Sequence, residues 1–326
     1  MTKHKLASFF SGCGGLDLGF KNAGFETVFA NDFWKGCHET FEKNHGLEIS
    51  KKSITSITAE ELPEVSGFIG GPPCQSWSTA GEMRGIADAR GQLFWTYLDL
   101  IDKKQPMFFL AENVAGLLSK KHVGEFKKII QQFENIGYNV SFKLVNAKNF
   151  NVPQERKRVI IVGYNKAKLG DKKFEFPEGS DQLVDLQTAI GNLPPAHRAA
   201  LKNHTVDQVF NHEYGIGGFS PMYMAANHVK NWNEQSYTIL ASMRHEPMHP
   251  SSPKMVKVAN NDFRFQSGLE AQYRRLSVRE CARIQTFPDD FKFFYKNLEA
   301  GYKMIGNAVP VNLAEAIASK ILLDLP

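Results

Sequence analysis

The chain of 326 residues has only four cysteines, Cys13, Cys37, Cys74 and Cys281, and no Cys-x-x-Cys pair. That spacing excludes a disulfide framework and a zinc ribbon. Free thiols fit a reducing compartment, and MTKHKLASFF passes into a Gly-rich turn rather than a cleavage site, so a cytoplasmic location is expected. Long hydrophobic runs are also missing: MFFLA at 107–111 and VIIVG at 159–163 are too short to cross a bilayer, and no membrane partner is expected. No block of Lys and Arg forms a nucleic-acid tail, and no Gly-Lys-Ser/Thr element is present to wrap a phosphate chain. Internal repeats and low-complexity segments are absent.

What is present is ample core material, 42% hydrophobic with 25 Phe, against 22% charged residues, which excludes a disordered chain. The net charge of +5 suits a polyanionic partner without requiring one. Short apolar segments at Lys5–Ser11, Glu26–Ala30, Gly67–Gly70, Met107–Ala111, Val140–Val145 and Val159–Tyr164 read as strands. Between them lie amphipathic stretches such as Leu16–Ala23 and Val123–Ile136, where Phe126, Ile129, Ile130 and Phe133 recur at helical spacing. Alternation of this kind predicts an α/β fold with a doubly wound, mostly parallel sheet. Ligands of such sheets bind beyond the carboxyl ends of the strands.

The texture changes after Leu169. Residues 170–272 are rich in Pro, Gly, Asn and His, with strand-like pieces at Tyr237–Ala241 and Met255–Val258. Regular structure returns with a capping box at Ser277 and Glu280, and Pro310 opens a last helix whose Leu313, Ile317 and Ile321 share a face. The expected division is one domain of residues 1–171 with 273–326, and a loop-rich module of residues 172–272.

Five segments carry chemistry. Phe10-Ser11-Gly12-Cys13-Gly14-Gly15 follows the first strand, and Asp32, 20 residues beyond Gly12, ends the second. Glycines at a strand-to-helix turn admit a ligand to the backbone, and an acid there can grip ribose hydroxyls; a tight turn with an exposed Asp is the alternative. Gly70-Gly71-Pro72-Pro73-Cys74 brings a thiol to a strand's carboxyl edge in a turn poorly suited to burying it. The stretch from Ser78 to Gly91, with Gly81, Gly85, Arg84 and Arg90, reads either as a lid or as an idle loop. Glu112 in Glu112-Asn113-Val114 sits on the same rim, or is a helix-start acid. Arg156 and Arg158, at alternate positions, would point at one face of a strand, with a solvated basic run as the alternative. Gly306-Asn307-Ala308-Val309-Pro310 is a turn feeding the last helix.

In this order the Pro-Pro-Cys-Gln, Glu-Asn-Val, Gln-x-Arg-x-Arg and Gly-Asn-Ala-Val-Pro elements resemble the cytosine-5 DNA methyltransferase family from Phe10 to Val309. The closest likeness is to compact bacterial restriction-modification enzymes, including those acting on GGCC. The resemblance implies that S-adenosylmethionine lies along Phe10, Ser11, Gly12, Cys13, Gly14 and Gly15, with Asp32 at the ribose and Phe33 against adenine. Ser53, Ile54, Pro73, Leu93, Asn307 and Val309 complete that set. It implies Cys74 as nucleophile, Glu112 as acid at N3, and Arg158 with Arg156 as cationic support. The Pro73 carbonyl accepts from the cytosine amino group. Module 172–272 becomes a target-recognition domain, with Arg244 reading guanine, Lys230 on phosphate, and Ser78, Gly81 and Arg84 closing on double-stranded DNA. A cognate endonuclease would share the site without a stable complex, and the enzyme would act as a monomer. Two departures stand out: the family usually has Glu at Asp32 and Asp at Ser53. Where GGCC relatives carry Ser-Arg-Asn-Arg, this chain has Ala225-Ala226-Asn227-His228, so no target sequence is assigned. No metal is expected, since Pro247 and Pro250 break the helix that His245 and His249 would need. The transfer-RNA branch of the family usually carries a Cys-Phe-Thr element absent here. A catalytically dead DNA-binding protein would have no use for Cys74, Glu112 and Arg158 together.

Overall fold

The fold is that of a computed structural model, which describes residues 3–73, 89–198, 209–219 and 223–326. Its elements in chain order are β1 (Lys5–Phe9), α1 (Gly15–Ala23), β2 (Glu26–Asn31), α2 (Lys35–His45), β3 (Gly67–Gly70), α3 (Ala89–Lys104), β4 (Phe108–Val114), α4 (Val123–Asn135), β5 (Tyr138–Asn146) and β6 (Lys157–Asn165). There follow α5 (Lys166–Leu169), α6 (Leu186–Ile190), β7 (His197–Arg198), β8 (Glu213–Tyr214), β9 (Val256–Ala259), β10 (Asp262–Arg264), α7 (Val278–Ile284), α8 (Leu298–Asn307) and α9 (Val311–Asp324). No helix among the described residues is long and apolar enough to cross a membrane.

The chain divides into two compact units. The first comprises Met1–Asn146, Lys157–Glu178 and Leu313–Pro326, and holds a six-stranded sheet of order β2-β1-β3-β4-β6-β5. The pairs of β1 with β2, β1 with β3, and β3 with β4 are parallel; β6 runs antiparallel to both its neighbours. Strands β3 and the first half of β4 are buried residue after residue, as a sheet covered on both faces requires. Phe9, Phe68, Tyr97, Phe109 and Phe133 form the centre of the core, with the Phe109 and Phe133 rings stacked at 4.1 Å. The Tyr97 hydroxyl is satisfied by the Leu110 carbonyl at 3.0 Å.

The order β2-β1-β3-β4 places a topological switch between β1 and β3, since the chain leaves β1 to one side and β3 to the other. Sheets of this kind bind ligands there, outside the carboxyl ends of the two strands. Gly70 makes this close pairing possible: a Cβ at that position would lie 2.6 Å from the Phe9 carbonyl oxygen. Strand β1 stops at Phe9, two residues short of the sequence-based end, because Phe10 turns to a φ of 53°.

The second unit comprises Ala147–Arg156 and Gly179–Asn312, so the compact body around the loop-rich segment reaches beyond residues 172–272. It contains the short pairs β7 with β8 and β9 with β10, and a small core of Tyr223, Val229, Met248 and Met255. The capping box at Ser277 and Glu280 forms and starts α7. Tyr237–Ala241 is not a strand. Its Ile239 amide and carbonyl are taken by the side chains of Gln154 and Arg156, which leaves the ladder groups of a strand already spent.

Candidate active site

The loop after β1 is shaped by residues with positive φ: Phe10, Gly12 at 56° and Gly14 at 87°, the last forming the N-cap of α1. A Cβ at Gly12 would meet nothing within 4 Å, whereas one at Gly14 would lie 2.0 Å from His45 Nε2. The loop is therefore packed behind and open in front. Asp32 ties it to β2: one carboxylate oxygen accepts from the Gly12 amide at 2.9 Å and the other from the Trp34 amide at 2.8 Å. Beside it the Phe33 ring is 72% exposed, an aromatic face with no core to join. Behind the loop, Ser11 Oγ donates to Ser8 Oγ, and Ser8 Oγ to the buried Asp17, whose carboxyl burial pushes up to about 6. Asn31 reaches the Ser50 and Lys52 carbonyls and so sets the approach to Ser53 and the buried Ile54. Ser53 Oγ bonds Thr55 Oγ1 at 2.7 Å, and Leu93 packs half-buried on the core.

The carboxyl end of β4 carries the acid. In the β4–β6 register Val114 faces Arg158 and Glu112 faces Ile160. Residues 112 and 114 share a face, so Glu112 and Arg158 are diagonal neighbours on it. Arg158 Nε lies 2.7 Å from Glu112 Oε1, with both side chains mostly buried. The second oxygen, Oε2, faces the loop after β3, where a Cβ at Gly71 would come within 3.3 Å of it. The adjacent Asn113 donates from Nδ2 to the Pro72 carbonyl at 2.9 Å. Asn113 thus braces the Gly71-Pro72-Pro73 segment that leads into Cys74, with Glu112 beside it. Cys74, Ser78, Gly81 and Arg84 lie outside the described residues.

The other three thiols are poor nucleophiles. Burial pushes Cys13 up to about 12, and raises Cys37 and Cys281 well above the ordinary thiol value. A thiolate at neutral pH is out of reach for each of them.

Arg156 does not join Arg158. It precedes β6 rather than lying in it, and its buried guanidinium donates to the carbonyls of Ile239 at 2.9 Å, Gly306 at 2.8 Å and Ala308 at 3.0 Å. The shared strand face expected from alternate spacing does not form, because the strand begins at Lys157. Within the same unit Asn307 is exposed at the end of α8, and Val309 is buried just after it. Arg244 is exposed in a short turn of Met243–His245, while Lys230 pairs with Glu234 at 3.1 Å and lies over the Tyr237 ring. Asn227 and His228 serve the local fold: Asn227 Oδ1 accepts from the Val229 and Met255 amides, and His228 stacks on Tyr223 at 3.8 Å. Among the described residues no group of three or more His, Cys, Asp or Glu is arranged to hold a metal.

His249 is a buried neutral base, set edge-on against Trp232 with Nδ1 on Ser251. Burial pushes its pKa down to about 4, more than the nearby Glu280 raises it. Its folded value lies below the unfolded one, so its contribution to stability is complete above about pH 6.5 and is lost as pH falls towards 4. Unfolding at pH 5 is expected to take about 1–2 kcal/mol less than at pH 7, and His249→Gln to flatten that part of the profile. Denaturant titrations of both proteins at the two pH values check this.

An open glycine loop after β1 and a proline-containing loop after β3 flank the switch point of a mostly parallel sheet, the place where α/β enzymes bind their ligands. The chain matches the model of the C-5 cytosine-specific DNA methylases over residues 4–323 and belongs to that family. It is 56% identical to the Type II methyltransferase M.MthTI of Methanothermobacter thermautotrophicus, over 98% of this chain and 97% of that one. It is 50% identical to the Type II methyltransferase M.FnuDI of Fusobacterium nucleatum, over 97% and 94% of the two chains. In fold it is similar to the Entamoeba histolytica methyltransferase EhMeth, with a TM-score of 0.72 over the full length of both chains at 16% identity. The protein is thus a DNA (cytosine-5-)-methyltransferase of restriction-modification type, from a family dependent on S-adenosylmethionine.

Sequence reasoning missed the brace of Asn113 on Pro72 and the contact of Gly71 with Glu112. The Asn of Glu-Asn-Val and the second Gly of Gly-Gly-Pro-Pro were the available signals. Gln154, first residue of Gln-x-Arg-x-Arg, was likewise in view without a partner.

Proposed function

We propose that the enzyme methylates C5 of a cytosine swung out of duplex DNA at a short specific sequence, through a covalent bond between Cys74 and C6. The observation that carries this reading is the Glu112–Arg158 pair, which meets the braced loop running directly into Cys74. Cytosine C5 is too weak a nucleophile unless the ring is first activated. Cys74 adds to C6 while Glu112 holds and protonates N3, which makes C5 electron-rich. Arg158 fixes Glu112 by one oxygen and leaves the other towards the base, and the Pro73 carbonyl accepts from the exocyclic amine. C5 takes the methyl group as its bond to the donor sulfur breaks and the donor is released as a neutral thioether. Loss of the C5 proton to water then re-forms the ring double bond, expels the Cys74 thiolate and lets N3 return its proton to Glu112. A stacked base offers no path for in-ring attack, so the cytosine must leave the helix; Ser78, Gly81 and Arg84 belong to the segment that would close over it. Arg244 reads guanine and Lys230 meets phosphate.

S-adenosylmethionine supplies an electrophilic methyl group when bound. The residues present fit it: the space before Gly12 is open, the Phe33 ring is free to meet adenine, and Asp32 keeps lone pairs for ribose hydroxyls. Asn307 and Val309 contribute from the turn before α9. Ser53 offers the adenine amine a neutral acceptor in place of a carboxylate, which is the weaker of the two. Ser53→Asp is expected to tighten S-adenosylhomocysteine binding about threefold to tenfold by calorimetry, in line with one charge-assisted hydrogen bond.

Methylation of this kind would protect host DNA from an endonuclease cutting the same sequence, with the methyltransferase acting in the cytoplasm as a monomer. Bisulfite sequencing of plasmid from cells expressing the chain tests the reading, and is expected to reveal one protected cytosine in a fixed context. Tritiated methyl transfer to transfer RNA but not to duplex DNA would count against it.

A further inference from the structure

Arg156 and Gln154 are buried whole, which is unusual for side chains of such polarity. Together with the equally buried Gln285 they form a polar clasp inside the second unit. On one side Gln154 Oε1 accepts from the Ile239 amide at 2.8 Å, and Arg156 Nη1 donates to the Ile239 carbonyl. On the other, Arg156 Nη2 donates to the Gly306 and Ala308 carbonyls, and Gln285 Nε2 donates to Ile305 O at 2.8 Å. Gln154 Nε2 closes the clasp on Gln285 Oε1 at 3.0 Å. The two segments so joined touch backbone to backbone: a Cβ at Gly306 would lie 2.0 Å from Leu240 O.

These segments are not arbitrary. One is 238–244, which ends at Arg244; the other is 305–309, which contains Asn307 and Val309. Apolar side chains would join them without the desolvation cost of a buried cation. What the guanidinium adds is geometry. Its rigid planar fork fixes three carbonyls at once, so neither segment can shift without breaking donors that have no water to turn to.

We propose that Arg156 is a positioning residue, which with Gln154 and Gln285 registers the base-reading segment on the cofactor turn and so couples seating of the duplex to seating of the cofactor. The proposal rests on the reading of Arg244, Asn307 and Val309 given above. Coupling between two ligands is reciprocal, so it can be read from either one.

Arg156→Lys keeps the charge, but an ammonium cannot hold three carbonyls in one plane. Affinity for S-adenosylhomocysteine is measured by calorimetry, with and without the duplex that the unaltered enzyme methylates. For the unaltered enzyme the duplex is expected to tighten binding at least about fivefold, the lower end of ordinary coupling. For R156K the gain is expected to fall below about twofold, whereas a merely structural role would leave the ratio alone. Should R156K not fold, Gln154→Glu takes its place: it keeps the acceptor for Ile239 and loses the donor to Gln285. Full enhancement in the variant, or none in the unaltered enzyme, overturns the proposal. Failure of the unaltered enzyme to methylate any duplex would instead remove the functional reading beneath it.

Discussion

Cys74→Ser is expected to lower methyl transfer to duplex DNA by about 10³-fold or more, the scale on which enzymes lose turnover without their nucleophile. The reason is acidity. A thiol near pKa 8.5 yields some thiolate at neutral pH and more beside cationic groups, whereas a serine hydroxyl yields none without a dedicated base. No other thiol can take over: Cys13, Cys37 and Cys281 are all buried, and burial holds each of them protonated. The change removes neither the brace of Asn113 on Pro72 nor the Asp32 tie to Gly12, so cofactor affinity and melting temperature should stay near their original values. Two measurements check this: single-turnover transfer of tritiated methyl, and trapping of a covalent adduct on duplex carrying 5-fluorocytosine. An adduct formed by the serine protein, or activity within about tenfold of the original, would place the nucleophile elsewhere.

Much of the first unit is legible because parallel strands covered on both faces are written as continuous apolar runs. β3 reads to the residue, whereas β4 reads one residue early at Met107 and stops short at Ala111, before the end at Val114. β5 and β6 read short at both ends, since polar residues flank their apolar centres: Asn139 and Asn146 in β5, the edge strand, and Lys157, Arg158 and Asn165 in β6. The same logic misled at Tyr237–Ala241, an apolar stretch whose hydrogen bonds go to side chains that no local pattern announces. Arg156 failed for a related reason. A two-residue spacing carries strand meaning only inside a strand, and β6 starts one residue too late. At the site, residue types were legible and partnerships were not. Glu112 stood out as an acid after a strand, but its bond to Arg158 follows from the antiparallel register of β4 with β6. Asp32 was expected to face a ribose, and its grip on the Gly12 amide depends on a φ that sequence does not state.

Glu112→Gln is expected to cut kcat by about 10²- to 10⁴-fold, the range in which a positioned general acid contributes, while leaving the cofactor KM nearly unchanged. The amide matches the carboxyl in shape, and its oxygen can still accept from Arg158 Nε, so the pair at 2.7 Å survives as a hydrogen bond. What is lost is the proton for N3. The amide also turns an NH₂ group towards Gly71, where Oε2 now sits, so a donor that cannot protonate replaces the one that can. Removal of Arg158 acts differently. In Arg158→Ala the acid keeps its proton chemistry but loses the contact that fixes it, and its charge is left mostly buried and unpaired. Turnover should then fall less than in E112Q, with a loss of stability that E112Q does not show. The double variant separates the two roles. If Arg158 works only by orienting Glu112, adding R158A to E112Q should slow transfer by less than about twofold more, because residues acting as a unit are not additive. Independent, multiplicative losses would mean that Arg158 serves the base directly and not through the acid.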